Sequence, residues 1–445
     1  MKKIKVILTG AVVCLNLVTV AFADTGTSTA ATQDVKAEIE ALKARISQLE
    51  AKLAATPAVP ASPAPSATPT LEIPSMVKGI QLSGFVDAAY NYNFNQISLP
   101  TATNSNATRV FDNNANTLNL DAAKITLQKT PTSDDRVGFR TDILAGHDAE
   151  LIHSAGLGLA STDVPFDLEQ AFVELSLPTK NVIHGANDMD LKVGKFVTMH
   201  GAEVIESKDN WNISRSLLFG WAIPFTHTGV RAGYTFDNGW DLYLGVNNGW
   251  DTVIDTNKGK SVEGHFGFNG LKLPGDSSLT IALNGMFGPE TTSSTKNRYL
   301  SDIVVTYKTP WKPLTLMYNY DYASEERVLP DPSNALDIGV DTADWQGHAA
   351  YARIDINDQW SVSGRYEWFQ DDNHVRIAPS LPGTIAPGDT YWETTGTLEY
   401  RPWKNIVTRL EYRHDAANQP VFFDRSVTGF SDTQDTISGE VIFIF

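Results

Sequence analysis

From Gly79 to the last residue, Phe445, apolar and polar residues alternate with a period of two, in runs cut apart by polar stretches. Successive strand residues leave on opposite faces, so this pattern makes a sheet with one apolar face and one wet face. In the first run Ile80, Leu82, Val86, Ala88, Tyr90, Tyr92 and Phe94 share one face, and Gln81, Ser83, Asp87, Asn91, Asn93 and Asn95 share the other. Sixteen such runs begin near Ile80, Leu118, Val137, Leu168, Leu191, Phe225, Trp240, Val262, Leu279, Tyr299, Leu314, Trp345, Trp360, Tyr391, Ile406 and Thr433. Connections after odd runs are mostly long and polar (96–116, 147–166, 326–342, 373–389), and those after even runs are mostly tight, as at Asp237-Asn238-Gly239. An even count, with long loops on one side and short turns on the other, predicts an all-β fold, a transmembrane antiparallel barrel of about 16 strands. Only a closed sheet satisfies every backbone group of a strand in lipid.

A soluble β-sandwich also alternates, but its aromatics need not gather at strand ends. Here Trp240, Trp345, Trp360, Trp392, Trp403, Tyr90, Tyr92, Tyr320, Tyr322, Tyr366 and Tyr400 concentrate there, where the girdles of a membrane barrel sit. Ile437, Gly439, Val441, Phe443 and Phe445 alternate up to the terminal residue. This ending, with Phe443 and Phe445, resembles the signature read by the outer-membrane barrel assembly machinery.

Composition closes off other classes. Mean hydropathy is -0.20, and no uncharged apolar run outside the N-terminus is long enough for a membrane helix. A net charge of -17 argues against nucleic-acid binding, which needs a basic surface. Lys2, Lys3 and Lys5, the apolar stretch 6–22 and Ala21-Phe22-Ala23 read as a signal peptide over 1–23. Its removal takes away Cys14, the one cysteine, and three of the 35 basic residues, leaving 32 against 52 acidic ones, a charge of -20.

Two further segments precede the alternation. Val35, Ile39, Leu42, Ile46, Leu49 and Leu53 are spaced 4, 3, 4, 3 and 4, the seam of a coiled coil over 34–53. With Ile39 and Ile46 at a and Leu42 and Leu49 at d, the pairs Glu38 with Lys43 and Arg45 with Glu50 are oppositely charged between parallel chains. Ile at a with Leu at d favours dimers, while Arg45-Ile46-Ser47-Gln48-Leu49-Glu50 resembles a trimerisation motif, and the motif weighs more. Residues 54–75 hold Pro57, Pro60, Pro63, Pro65, Pro69 and Pro74 among Ala, Ser and Thr, a spacer that reaches about 70 Å as polyproline II.

The stretch VGKFVTMHGAEVIESKDNWNISRSLLFGWAIPFTHTGVRAGYTF, followed by LGVNNGWD, and the opening GFVDAAYNYNFN resemble the OmpL-like putative β-barrel porin family over 79–445. Ala202 stands before Glu203 where that family often has an aromatic. The resemblance implies an outer-membrane diffusion channel of a Gram-negative type cell, passing small polar solutes, surrounded by outer-membrane lipid, with the N-terminal segment in the periplasm. A homotrimer is the expected assembly. A tether from the outer membrane to the cell wall, with the barrel as anchor, is the alternative. A barrel enzyme needs a reactive serine constellation, and none is evident, so no catalytic set, cofactor or metal is assigned. His147, Asp148, Glu150 and His153 in the second long loop, and His414-Asp415 at a strand end, read as ordinary loop and rim residues.

The connection 198–224 is the longest, and it mixes Glu203, Glu206, Lys208, Asp209 and Arg215 with Leu217, Leu218, Phe219 and Trp221. It is the third long loop, and the resemblance to porins, whose third long loop folds into the lumen, implies that it forms the constriction; an extracellular loop packing on its neighbours is the alternative. The wet face supplies the pore lining: Asp87, Asp142, Asp241, Glu263, Asp321, Glu325, Glu367, Glu411 and Glu440 against Arg140, Lys192, Arg231, Arg353, Arg365, Arg409 and Arg413. That near balance predicts weak ion preference, set at the constriction. For the coil, deleting residues 34–53 is expected to reduce the cross-linked oligomer; an unchanged oligomer shows that the heptad serves another purpose.

Overall fold

The computed structural model describes residues 79–95, 105–157, 165–180, 182–326, 342–377, 390–424 and 429–445. The signal peptide, heptad and proline-rich spacer lie outside these residues. In chain order the strands are β1 (Gln81–Asn93), β2 (Thr117–Lys129), β3 (Val137–Ala145), β4 (Phe166–Leu177), β5 (Met189–Val197), β6 (Thr226–Thr235), β7 (Trp240–Asn247) and β8 (Ser261–Leu273). They continue as β9 (Ser277–Pro289), β10 (Asn297–Lys308), β11 (Leu314–Glu326), β12 (Thr342–Asp355), β13 (Trp360–Gln370), β14 (Thr390–Trp403) and β15 (Ile406–Ala417). A two-residue hairpin, β16 (Phe422–Phe423) with β17 (Phe430–Ser431), precedes the last barrel strand, β18 (Thr433–Ile444). One short helix, α1 (His147–Leu151), sits in the second long loop.

Each barrel strand pairs with its chain neighbours, and β1 pairs antiparallel with β18, which closes sixteen strands into a barrel. All sixteen expected runs are strands of this barrel. The seam is set by Phe85 opposite Ile444 and extends to Asn93 opposite Thr436. At its end Gly84 and Phe445 exchange both backbone hydrogen bonds at 3.0 Å. The connections segregate as the sequence implies: 236–239, 274–276 and 404–405 at the turn end, 94–116 and 198–225 at the loop end.

The outward face is apolar around the wall. Leu82, Val86, Leu118, Leu244, Tyr366, Leu410 and Val441 are all exposed, far more contiguous apolar surface than a soluble monomer carries. Aromatics form belts at both rims. At the turn end Trp240 packs on Phe268 with ring centroids 4.0 Å apart, and Trp360 stacks on Tyr400 at 4.2 Å. At the loop end Tyr320 stacks on His348 at 4.7 Å, and Trp392 lies 5.2 Å from His414. Trp345 departs from the girdle expectation. It is 1% exposed because alternation along β12 puts it on the inward face with Ala343 and Ala349, where its indole N–H donates to the Ala222 carbonyl of an inward loop.

Closure at the seam makes a sharp demand on Gly84. A Cβ there meets the Lys124 carbonyl oxygen at 2.3 Å and the Phe445 ring at 2.5 Å. Gly84→Val is therefore expected to block barrel closure, seen as loss of the fast-migrating folded band in unheated gel electrophoresis. Full retention of that band shows that the seam tolerates the side chain.

Candidate functional site

The wet face of every strand points into the barrel, and the sequence-assigned lining residues lie there. Their surroundings differ. In the turn-end half Arg140, Lys192, Asp241 and Arg353 are partly exposed, whereas Asp87, Asp142, Arg231, Glu263, Asp321, Glu325, Arg365, Glu367, Arg409, Glu411, Arg413 and Glu440 are buried. Over Arg365, Glu367, Arg409, Glu411, Arg413 and Glu440 the burying element is the connection 198–225. It leaves β5 through Gly201, whose φ of +90° suits a residue without Cβ, makes a 3-10 turn at Ser207–Asp209 and a π-helical turn at Leu218–Ala222, and rejoins the wall at β6.

Two kinds of contact hold this loop inside. One is an apolar cluster within the barrel: Phe219 lies 5.6 Å from Phe111 and 5.4 Å from Phe225, ring to ring. Leu218 fills the space beside Gly347, where a Cβ comes within 2.5 Å of it. The other is a set of wall side chains bonded to loop backbone. The Glu367 carboxylate accepts the Leu217 and Leu218 N–H groups, each at 2.6 Å, and Glu411 accepts those of Ile213 and Ser214 at 2.6 and 2.9 Å. Arginines answer the carbonyls. Arg365 donates to Ser214 at 2.8 Å, Arg413 to Arg215 at 2.7 Å, and Arg409 to Ser207 and Asn210 at 2.9 and 2.8 Å. Buried backbone groups left without partners are costly, so a loop inside a barrel needs such donors and acceptors.

The five residues assigned to the constriction divide by position. Glu203 is buried, 2.7 Å from Arg365, and also accepts the Ser216 N–H at 2.7 Å. Arg215 is buried as well, 3.3 Å from Asp148 of α1 and with its guanidinium over the Phe111 ring at 4.8 Å. Burial pushes the Asp148 carboxyl up to about 7, partly offset by Arg215. Glu206 binds Lys124, whose ammonium also meets Glu169 at 2.8 Å and Asp142 at 2.9 Å. Burial alone raises Glu206, and that ammonium outweighs it, leaving the carboxyl below its usual range. Lys208 and Asp209 are the two that reach open space. Together with Glu206 they border a cavity of about 310 Å³ with Arg140, Gln128 and Phe445. A second cavity of about 230 Å³ lies between Met199 of the loop and Lys192, Arg231, Tyr243 and His265.

Asp142, Glu169 and Glu206 are spaced to surround a cation, and the Lys124 ammonium already occupies their centre. The loop residues His147, Asp148, Glu150 and His153 do not converge on one point: His147 bonds Asn113 at 2.8 Å, Asp148 faces Arg215, and His153 faces Asp167 at 3.1 Å. His414 and Asp415 point to opposite faces, to Asp435 outside and to Arg109 and Arg413 inside. Sequence reading missed the loop-holding role of Glu367, Glu411 and the three arginines. Their alternation placed them inward, but nothing local announces a partner 150 or more residues away.

Arg365 neutralises both Glu203 and Glu393, the latter at 2.5 Å. Arg365→Ala is therefore expected to destabilise the barrel by about 3–5 kcal/mol, the usual cost of stranding a buried charge. Arg353→Ala, at a wetter pair, is expected to cost under about 1 kcal/mol. Urea unfolding in lipid vesicles measures both, and equal shifts show that the buried network carries no special weight.

Comparison with known proteins agrees with this architecture. No curated protein matches the chain by sequence. Among solved structures, the anion-selective porin from Comamonas acidovorans aligns with a TM-score of 0.51 at 11% identity, over 82% of this chain and 99% of that one. The outer membrane channel DcaP of Acinetobacter baumannii aligns with a TM-score of 0.49 at 12% identity, over 82% and 97%. At 11% identity the likeness to the Comamonas porin is one of fold. The family model described as "Putative beta-barrel porin-2, OmpL-like" matches residues 79–445, and the chain accordingly belongs to that family of outer-membrane porins.

Proposed function

We propose that this protein is a passive diffusion channel for small hydrophilic solutes and ions, set in the outer membrane with its turn end and N-terminal segment in the periplasm. The observation that carries the reading is the division of the barrel into an apolar outside and a charged inside, within a porin family match over 79–445. A membrane anchor needs only the first. Assembly as a homotrimer organised by Ile39, Leu42, Arg45, Ile46, Leu49 and Glu50 belongs to the same proposal. Planar-bilayer conductance of the purified protein tests the central claim: stepwise openings are expected. Closed bilayers at high protein loading favour the tether instead.

Ion preference follows from what remains wet. In the turn-end half the cations stand beside anions: Arg140 with Asp142 at 2.9 Å, Lys192 with Glu174 at 3.4 Å, Arg353 with Glu399 at 2.9 Å. Rings of one sign set ion preference, and fields from such pairs fade beyond about 8 Å at physiological salt. A permeability ratio close to unity is the expected result.

Within the inward loop, Lys208 and Asp209 carry the charge that a solute meets, while Glu203 and Arg215 hold the loop's shape. Asp209→Asn is expected to move the reversal potential in a salt gradient toward anion preference, and Lys208→Gln toward cation preference. Glu203→Gln is expected to leave that potential in place. A shift at Glu203 with none at Lys208 or Asp209 reverses this assignment.

A further inference from the structure

Where β1 runs beside β2, the barrel holds a carboxylate that the protein leaves without a partner. Asp87 is 0% exposed, and neither of its carboxylate oxygens has a hydrogen-bond partner among the described residues. Buried charges are otherwise paired or bound to a metal, and three buried carboxylates nearby follow that rule. Glu440 lies 3.2 Å from Arg409, Asp148 lies 3.3 Å from Arg215, and Asp112 lies 2.6 Å from Arg109. Asp121 is the second exception: half-buried, it has no ion-pair partner among the described residues.

The fold brings these acids together. In the β1–β2 ladder Asp87 stands opposite Ala122 and Ala88 opposite Leu120, so Asp121 is the extra residue of a bulge beside Asp87. A bulge re-aims a side chain. The start of α1 rests on the same spot, since a Cβ at Gly146 meets the Asp121 carbonyl oxygen at 2.6 Å. The charges acting on Asp87 are those of Glu440, Asp121, Asp148 and Arg215, and Asp121 feels the same group together with Asp112. With an arginine beside each of the other three acids, Asp87 and Asp121 remain without a cation.

We propose that Asp87, Asp121 and Asp148 bind a hard divalent cation, calcium, at the β1–β2 bulge. Two carboxylates that lack a cation match its charge. Calcium takes about six to eight oxygens in flexible geometry, which suits ligands drawn from a strand, a bulge and a helix better than the octahedron of magnesium. Two acids sharing a proton are the other arrangement that fits a dry place, but a shared proton is a hydrogen bond, and Asp87 makes none. At Asp142, Glu169 and Glu206 the Lys124 ammonium neutralises a comparable group of acids, and no ammonium reaches Asp87 or Asp121. The bound ion ties the helix of the second long loop to the two strands beside the seam, a role separate from conduction, so its test needs no current.

Calorimetric titration of calcium chloride into the purified, folded protein, stripped with EDTA and held in detergent, is expected to show one site per chain. Calcium is also expected to raise the thermal midpoint by several degrees, because a ligand bound only by the folded form stabilises it. Asp87→Asn and Asp121→Asn are each expected to lose at least about tenfold in affinity, the low end for disturbing a metal site, and with it the thermal shift. Asp134→Asn, in an exposed turn, is expected to keep both. The folded band in unheated gel electrophoresis identifies variants that form the barrel, and Asp121, the more exposed of the two, carries the test where Asp87→Asn does not fold. No calcium isotherm with the wild type, or an isotherm that the folded aspartate variants retain, overturns the site.

Discussion

Backbone hydrogen bonding in a medium without water is the constraint on which everything else in this structure depends. A strand in lipid must find partners on both edges, and sixteen strands achieve this when β1 meets β18. The two edge strands are therefore joined to each other. Gly84 and Phe445 make the last two bonds of the seam, and the Phe445 ring covers the space that Gly84 leaves empty. The interruptions of the ladder fall between paired strands: at Asp87/Ala88 between β1 and β2, at Asp142/Ile143 between β3 and β4, at Phe268/Leu271 between β8 and β9, and at Tyr400/Trp403 between β14 and β15. They bend and twist the sheet without opening it.

Closure divides each strand between two solvents, and the inner one governs what the barrel does. An inward face cannot be apolar if water is to enter, so it carries Glu, Asp and Arg. Once a loop fills half of that space, the same groups must satisfy backbone instead of water. Glu367 and Glu411 take its N–H groups, Arg365, Arg409 and Arg413 take its carbonyls, and each guanidinium also meets a carboxylate. A wall chemistry suited to ions is thus also suited to a polypeptide segment. The two uses call on the same atoms.

The barrel was legible because its signal is local and repeated. Alternation at Trp360, Val362, Tyr366 and Trp368 names a strand and its faces without reference to any other part of the chain. The inward loop was legible in part: its length, its order among the long loops and its mixture of Leu217, Leu218 and Phe219 with charge set it apart. Which of its charges would be wet was not. Glu203 and Lys208 look alike in the sequence, one charged residue among several, yet Glu203 lies against Arg365 and Lys208 borders open space. Trp345 shows the same limit from the wall side. Its position at a strand end fits a membrane girdle, but alternation puts it on the inward face with Ala343 and Ala349, and what it meets there, the Ala222 carbonyl and the Arg298 and Arg376 guanidiniums, is tertiary.

Sequence alone determined the strand number, the two faces of each strand, the segregation of loops from turns and the sign balance of the interior. These follow from a period of two and from turn chemistry, which act over a few residues. Tertiary structure decided which interior charges face water and which face the loop. Those outcomes depend on contacts such as Leu217 with Glu367 or Ile213 with Glu411, separated by 150 and 198 residues. No local pattern encodes such pairs, because burial of a charge is a property of what the rest of the chain places over it.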